Sequence, residues 1–309
     1  MEEPRVAIVR SYRPSIGNLN ARAVTARRVH LSRRMTAEEA FRATVLECLA
    51  QVGGNAPAIR AKDPKGVHQI RVGLRRLQMA LKSFGAQTPE LKSLGKRGRA
   101  IADAFGPARD LDVFAAELFE PVSRKFEGNE SFIALGLALR HARGEAWDDA
   151  LSETLNPDFA AFLNDIAAAA EMAPVDGRRI GKVAQRSLGE HLARVKKRGK
   201  RVGKHYSERT HRLRIALKKL RYTAEFFAPL YPEKKTARYI RKLKILLDRF
   251  GAANDVHGIG GMLSRLGEGP ELRFAAGVVA GWHGSREKRL NGQAMKGWRA
   301  FRKVKPFWD

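Results

Sequence analysis

Two ten-residue blocks carry the densest chemistry in the chain, His68-Gln-Ile-Arg-Val-Gly-Leu-Arg-Arg-Leu and His211-Arg-Leu-Arg-Ile-Ala-Leu-Lys-Lys-Leu. On a helix at about 100° per residue, Ile70, Leu74, Leu77, Leu81 and Phe84 share one narrow sector, the stripe a helix turns to a core. His68, Arg71, Arg75, Gln78 and Lys82 share the adjacent sector. The second block sorts the same way, with Leu213, Leu217, Leu220 and Phe227 inward and His211, Arg214, Lys218 and Arg221 beside them. Like charges at i,i+4 repel, and this row of one sign runs ~21 Å along the helix. It also borders the core instead of facing away from it. A linear polyanion lying on the row would offset the repulsion and release its counterions. Each histidine stands three residues ahead of an arginine on the same face. Both rings are therefore candidate phosphate donors, and a bound polyanion would raise their pKa toward the charged form.

The pattern extends beyond these blocks. Lys96 and Arg99 share a face with Asp103, and Arg241 and Lys244 share one with Asp248. Arg140 and Arg143, with His283 and Arg286, supply a third wall. Residues 194–221 hold 13 Lys and Arg against one acid, Glu208; Lys196–Lys204 reads as a helix end and the connection to the next helix. Asp110 and Asp255 follow Phe-Gly turns and are read as helix N-caps. Asp103 and Asp248 are read as ion-pair partners of Arg99 and Lys244. Trp282, Trp298, Phe301, Phe307 and Trp308 are read as core and closing contacts, not stacking platforms. Catalytic signatures are missing: the chain has no GxxxxGK[ST], HExxH or GxSxG, and no carboxylate cluster of the kind that holds two metals. Binding without catalysis is the economical reading, with no cofactor.

These residues need helices to position them, and the punctuation supplies helix starts. Asp63-Pro64, Thr88-Pro89 and Asn156-Pro157 each place a capping side chain before proline, and Thr36-Ala-Glu-Glu39 fits a capping box. Pro232 and Pro270 open further helix-compatible stretches. Strand-like alternation is confined to Arg5–Val9, so the expectation is an all-α protein of roughly eleven or twelve helices. Residues 1–35 read as a basic arm, extended or poorly ordered, and Pro174–Gly177 as a linker between halves 36–175 and 176–309. The halves are duplicates. Over residues 68–84 and 211–227, five of 17 paired positions are identical and five more are conservative. Asp103-Ala-Phe-Gly-Pro-Ala-Arg-Asp110 matches Asp248-Arg-Phe-Gly-Ala-Ala-Asn-Asp255 in the same order, so the halves form two pseudo-symmetric antiparallel bundles.

Composition sets the outer limits. Across 309 residues, 59 Lys and Arg against 32 Asp and Glu give a formal charge of +27, while 44% hydrophobic residues suffice for a core. The partner should be a polyanion or an anionic surface. The single cysteine, Cys48, excludes an internal disulfide and a CxxC site. No apolar run is long enough to span a bilayer, and the start lacks the apolar segment of a secretory leader. The expected setting is therefore cytoplasmic, with no membrane insertion.

The two His-headed blocks, together with Ala-Arg-Asp-Leu-Asp (108–112), Phe-Gly-Ala-Ala-Asn-Asp (250–255), Gly-Trp-His (281–283) and Pro-Phe-Trp (306–308), resemble the paired signatures of the CHAD domain, the conserved histidine α-helical domain. The resemblance covers residues 36–309. It implies two helical bundles that bind inorganic polyphosphate in a central basic groove, and association with polyphosphate granules. It places His68, Arg71, Arg75, Lys82, His211, Arg214, Lys218 and Arg221 in that groove, with Lys96, Arg99, Arg241 and Lys244 beside them. The acidic ExExK signature of the triphosphatase domain carried by many relatives is absent. The sequence rival is a protein that binds or compacts nucleic acid with the same surface; weaker non-specific nucleic-acid binding is expected in either case.

Overall fold

The computed structural model describes residues 22–85, 88–173, 179–200, 202–203 and 205–308. The predicted strand at Arg5–Val9 and the predicted linker at 174–177 lie outside them. The fold is all-α. Among the described residues there are fourteen α-helices and no strand, only an isolated bridge between Thr36 and Arg179. In the first half, α1 (Ala37–Gly53), the short α2 (Ala56–Arg60), α3 (Pro64–Ser83) and α4 (Pro89–Ala104) lead into α5 (Gly106–Val113), a π-helical stretch at Phe114–Phe119, and α6 (Glu120–Ser123). The long α7 (Glu130–Leu155) and α8 (Pro157–Glu171) close this half. The second half consists of α9 (Ile180–Gly199), α10 (Glu208–Phe227), α11 (Glu233–His257), α12 (Ile259–Leu266), α13 (Pro270–Gly284) and α14 (Glu287–Phe301).

The helix starts follow from the caps. Thr36 Oγ1 accepts from the Glu39 amide at 3.2 Å, while Glu39 accepts from the Thr36 amide at 2.8 Å, a reciprocal box. Asp63, Thr88 and Asn156 each cap the helix whose first residue is the following proline. The matched Phe-Gly blocks differ in outcome. In the first half Pro107 cannot donate to the turn before it, and the chain breaks between α4 and α5. In the second half Ala252 stands there, and α11 runs through without a break.

The duplicated helices pack alike. α1 lies on α3 as α9 lies on α10, and α8 packs against α4 as α14 packs against α11. The halves share one continuous apolar core. At their contact Phe84 and Phe227, which occupy matching positions in the duplication, meet at 5.0 Å between ring centroids, and Ser83 and Thr223 hydroxyls lie 3.2 Å apart. α7 and α13 add a second contact across the halves. The closing aromatics behave as expected for Trp298, Phe301, Phe307 and Trp308, all buried. Trp282 does not: it is 41% exposed, with the Lys125 ammonium 5.8 Å from its ring.

The described part of the arm is extended and held in place. Residues 22–35 contain no helix, yet Val29 and Leu31 are buried. Val24 and the Asn55 side chain exchange two hydrogen bonds at 2.9 and 2.8 Å, and the Ala23 amide donates to Asp63. Further along, Arg33 Nε donates to the Leu230 carbonyl at 2.8 Å and Arg28 pairs with Glu233 at 3.2 Å. This segment therefore straps the first half to the second. Among the described residues, no helix is long and apolar enough to cross a membrane.

Candidate anion-binding site

α3 and α10 cross between the halves, and their basic rows meet over a cavity of about 350 Å³. From α3 come His68, Arg71 and Arg75; from α10 come Arg214 and Lys218. Arg71 matches Arg214 in the duplication, and Arg75 matches Lys218. The cavity thus lies on the pseudo-twofold relation between the halves, and equivalent cations face one another across it. Two cations that the rows do not contain complete the wall, Arg109 of α5 and Arg265 of α12. Three carboxylates stand among them: Asp110, Asp255 and Glu117.

The aspartates correct the N-cap expectation. Asp110 lies inside α5, whose N-cap is Phe105, and Asp255 lies in the last turns of α11. Both turn toward the cavity instead of toward free amides. The expected ion pairs of Asp103 with Arg99 and of Asp248 with Lys244 do not form; Lys244 Nζ instead lies 3.9 Å from Glu225. The Phe-Gly element of the first half has a different use. A Cβ at Gly106 would stand 3.0 Å from Arg71 Nη1, and that same nitrogen donates to the Ala102 carbonyl at 2.7 Å. Glycine at 106 leaves room for the guanidinium.

Crowding and burial dominate the electrostatics. Burial, then Arg109 and Arg75, push the His68 imidazole down to about 4, so without a ligand the ring is neutral at pH 7. Burial, then Arg214 and Arg75, bring the Lys218 ammonium down to about 7. Arg71 is lowered by burial and by Arg75. Asp255 is raised because burial outweighs the Asn254 hydrogen bond and the nearby cations. Arg214 Nε is buried with no hydrogen-bond partner. The cavity therefore holds more positive charge than its own carboxylates satisfy, an arrangement that an incoming anion would relieve.

The remaining predicted residues are spread over neighbouring surfaces. His68 also opens onto a side cleft of about 710 Å³, lined by Arg221, Arg241 and Lys244, with Arg27 and Arg28 of the strap along its edge. On the other side, Arg109 continues into a hollow of about 400 Å³ containing Arg140 and Arg143. His211 is not in the cavity wall: its Nδ1 donates to Asn254 Oδ1 at 3.2 Å, and Tyr206 donates to the same oxygen at 2.8 Å. Lys82 and Arg99 stand on the far side of α10, close enough to depress the Lys219 ammonium. Lys96 is exposed and outside these cavities. His283 is a correction. It is 1% exposed, and its Nε2 donates to the Leu118 carbonyl at 2.8 Å, so it fastens α13 to the π-helical stretch and is closed to ligands. That stretch itself, whose Phe114, Glu117 and Leu118 line the central cavity, had no sequence signature.

Among the described residues no group of His, Cys, Asp and Glu could hold a metal ion. The arrangement can bind several negatively charged oxygens in succession by charge-assisted hydrogen bonds.

The family model described as "CHAD domain" matches residues 43–263. A crystal structure of the CHAD domain from the plant Ricinus communis is similar over 90% of this chain and 97% of its own, at 26% identity and a TM-score of 0.80. PptA from Streptomyces chartreusis shares the fold over 87% of this chain and all of its own, at 13% identity and a TM-score of 0.60. None of the curated proteins matches the chain.

Proposed function

The chain belongs to the CHAD domain family, and from that premise we propose that it binds inorganic polyphosphate in the central cavity and does not cleave it. The observation that carries this reading is the cavity between α3 and α10, where Arg71, Arg75, Arg214 and Lys218 face inward from matching positions of the two halves. A linear chain of phosphates presents charge at short, regular intervals and has no bases or sugars to accommodate, which suits a confined, cation-lined space. From the cavity the chain would run past His68 toward Arg221, Arg241 and Lys244, and past Arg109 toward Arg140, so that many weak contacts add along one polymer. Asp110, Asp255 and Glu117 restrict how much negative charge can enter at once, which favours a single file of phosphates. The interleaved cations supply binding and orientation, and no described residue pair stands ready as nucleophile and base. The protein would be a cytoplasmic partner of polyphosphate, associated with its granules.

A competition titration at near-physiological salt tests this. Labelled long-chain polyphosphate is displaced by unlabelled polyphosphate, single-stranded DNA, duplex DNA or tRNA, with free phosphate monitored in parallel. The expected result is displacement by nucleic acids only at far higher phosphate concentration, with no phosphate released. Equal competition per phosphate would replace the reading with nucleic-acid binding.

A further inference from the structure

A second basic concavity lies on the outer side of α10, away from the central cavity. It has a volume of about 520 Å³ and is walled by α9 and α10 through His191, Arg194, Arg198, Arg212 and Lys219. Lys218 and Lys219 are adjacent, so the helix turns one into the central cavity and the other into this groove. No carboxylate lines it among the described residues. Glu190 and Glu208 pair with Arg194 and Arg212 only from the rim, at 3.2 and 2.7 Å in exposed i,i+4 pairs. The Lys219 ammonium is lowered by burial and by Lys82, Arg194 and Arg99; of these cations Arg194 lines the groove, and Lys82 and Arg99 lie outside its wall. His191 is 5% exposed and lines the groove.

The duplication shows that the fold does not require this charge. Glu47-Cys-Leu-Ala-Gln-Val52 of α1 matches Glu190-His-Leu-Ala-Arg-Val195 of α9, and the helices α3 and α10 match at the same offset of 143 positions (48 to 191, 68 to 211). Cys48, Gln51, Asn55 and Gln69 occupy the first-half counterparts of His191, Arg194, Arg198 and Arg212. There the amides bond locally: Gln51 donates to Gln69 Oε1 at 2.9 Å, and Asn55 donates to the Gln51 carbonyl at 2.6 Å while gripping Val24 of the strap. The first half thus keeps one cation at these positions, Arg76 opposite Lys219 and hydrogen-bonded to Cys48, where the second half has Arg194, Arg198, Arg212 and Lys219. The helix dipole rationalises Lys196, Lys197 and Arg198 in the last turn of α9. It does not rationalise His191 in mid-helix, or Arg212 and Lys219 on another helix.

We infer that the α9–α10 groove is a second anion site that takes an oligophosphate independently of the central cavity. His191 would lie at its floor as the buried hydrogen-bonding group, and Arg194, Arg198, Arg212 and Lys219 would neutralise the phosphates. The anion is either a separate short oligophosphate or a further stretch of a polymer whose other part lies in the central cavity.

Isothermal titration with tripolyphosphate, too short to reach both places, tests the site. The expected stoichiometry is two per chain for the natural protein. It should fall to one in the triple variant R194Q/R198N/R212Q, which installs the residues that the first half already folds with, and to one in R75A/K218A. A triple variant that still binds two, or a natural protein whose single equivalent is lost only in R75A/K218A, would overturn the groove. Should R75A/K218A keep both equivalents, the central cavity is the assignment that fails, while the groove stands if the triple variant loses one. A second pair, K82A/R99A, alters other helices at exposed positions and should weaken the groove equivalent by about fivefold; no change there also counts against it. Long-chain polyphosphate separates the sources. A roughly tenfold affinity loss in the triple variant marks one polymer spanning both places, and unchanged affinity marks a separate anion.

Discussion

The central cavity and the α9–α10 groove are both basic concavities flanking α10, yet they arise differently. The centre of the cavity is made of matched pairs, Arg71 with Arg214 and Arg75 with Lys218, and the unmatched Arg109 and Arg265 complete its wall. Two of its three carboxylates belong to the same duplication, since Asp110 matches Asp255, while Glu117 stands opposite Met262. The groove has one matched cation, Lys219 opposite Arg76, while Arg194, Arg198 and Arg212 stand opposite Gln51, Asn55 and Gln69, and no carboxylate lines it among the described residues. Symmetry therefore gives a buried site at the junction in which carboxylates stand among a surplus of cations, whereas divergence of one half gives a cationic site on its outer side with no carboxylate in its wall. The contrast teaches that net charge alone does not define the binding surface; what matters is which cations the packing leaves without protein partners.

The strongest way to break the comparison is to remove the paired cations. The variant R71A/R75A/R214A/K218A should lose polyphosphate affinity by about a thousandfold or more, given ~1.5–3 kcal/mol for a hydrogen bond to a charged group, with an unchanged circular dichroism spectrum. Unchanged affinity would remove the cavity from the account. Next, Phe227→Ala opens the contact of Phe227 with Phe84 at the junction of the halves. It should cost about 3–5 kcal/mol of stability in chemical denaturation, and it should weaken the cavity more than the groove, because both halves wall the cavity whereas α9 and α10 of one half wall the groove.

The third test uses pH. An anion favours protonated Lys218, so its ammonium, at about 7 in the free protein, should have a higher pKa in the complex. Binding then takes up a proton. Affinity is greatest below about pH 7 and falls as pH rises through that value, by up to about tenfold per unit. Lys218→Arg should flatten the fall. Proton uptake is read by titration calorimetry in buffers of different ionisation enthalpy. The smallest effect is expected from Thr36→Ala. It removes a cap far from both sites and should cost about 1 kcal/mol of stability, leaving polyphosphate affinity unaltered.

Much of the fold was legible because helix starts are local. Proline after Asp63, Thr88 or Asn156 marks each N-terminus without reference to the rest of the chain, and the repeated blocks expose the duplication directly. The core of the site was legible for the same reason, since His68, Arg71, Arg75, Arg214 and Lys218 sit on rows that one helical wheel sorts. What escaped depends on tertiary packing. His283 lies on an apolar helix, and its sequence does not say which neighbour its ring will meet; Leu118 does, through a carbonyl in the π-helical stretch. Arg109 stands opposite Asn254 in the duplication, and Arg265 opposite Glu120, so a search for repeated cations passes over both. Lys82 was placed in the correct row, but the crossing of α3 and α10 carries that end of the row around to the groove side. The strap at 22–35 has no periodicity because its hydrogen bonds are made to Asn55, Asp63 and Leu230 and not within itself.

The central claim is best tested by a crystal structure of the protein grown with a short polyphosphate chain. The account predicts phosphate density in the cavity within hydrogen-bonding distance of both Arg75 and Lys218, threading between the halves. A chain bound only on the outer surfaces, with the cavity between α3 and α10 free of phosphate, would contradict it.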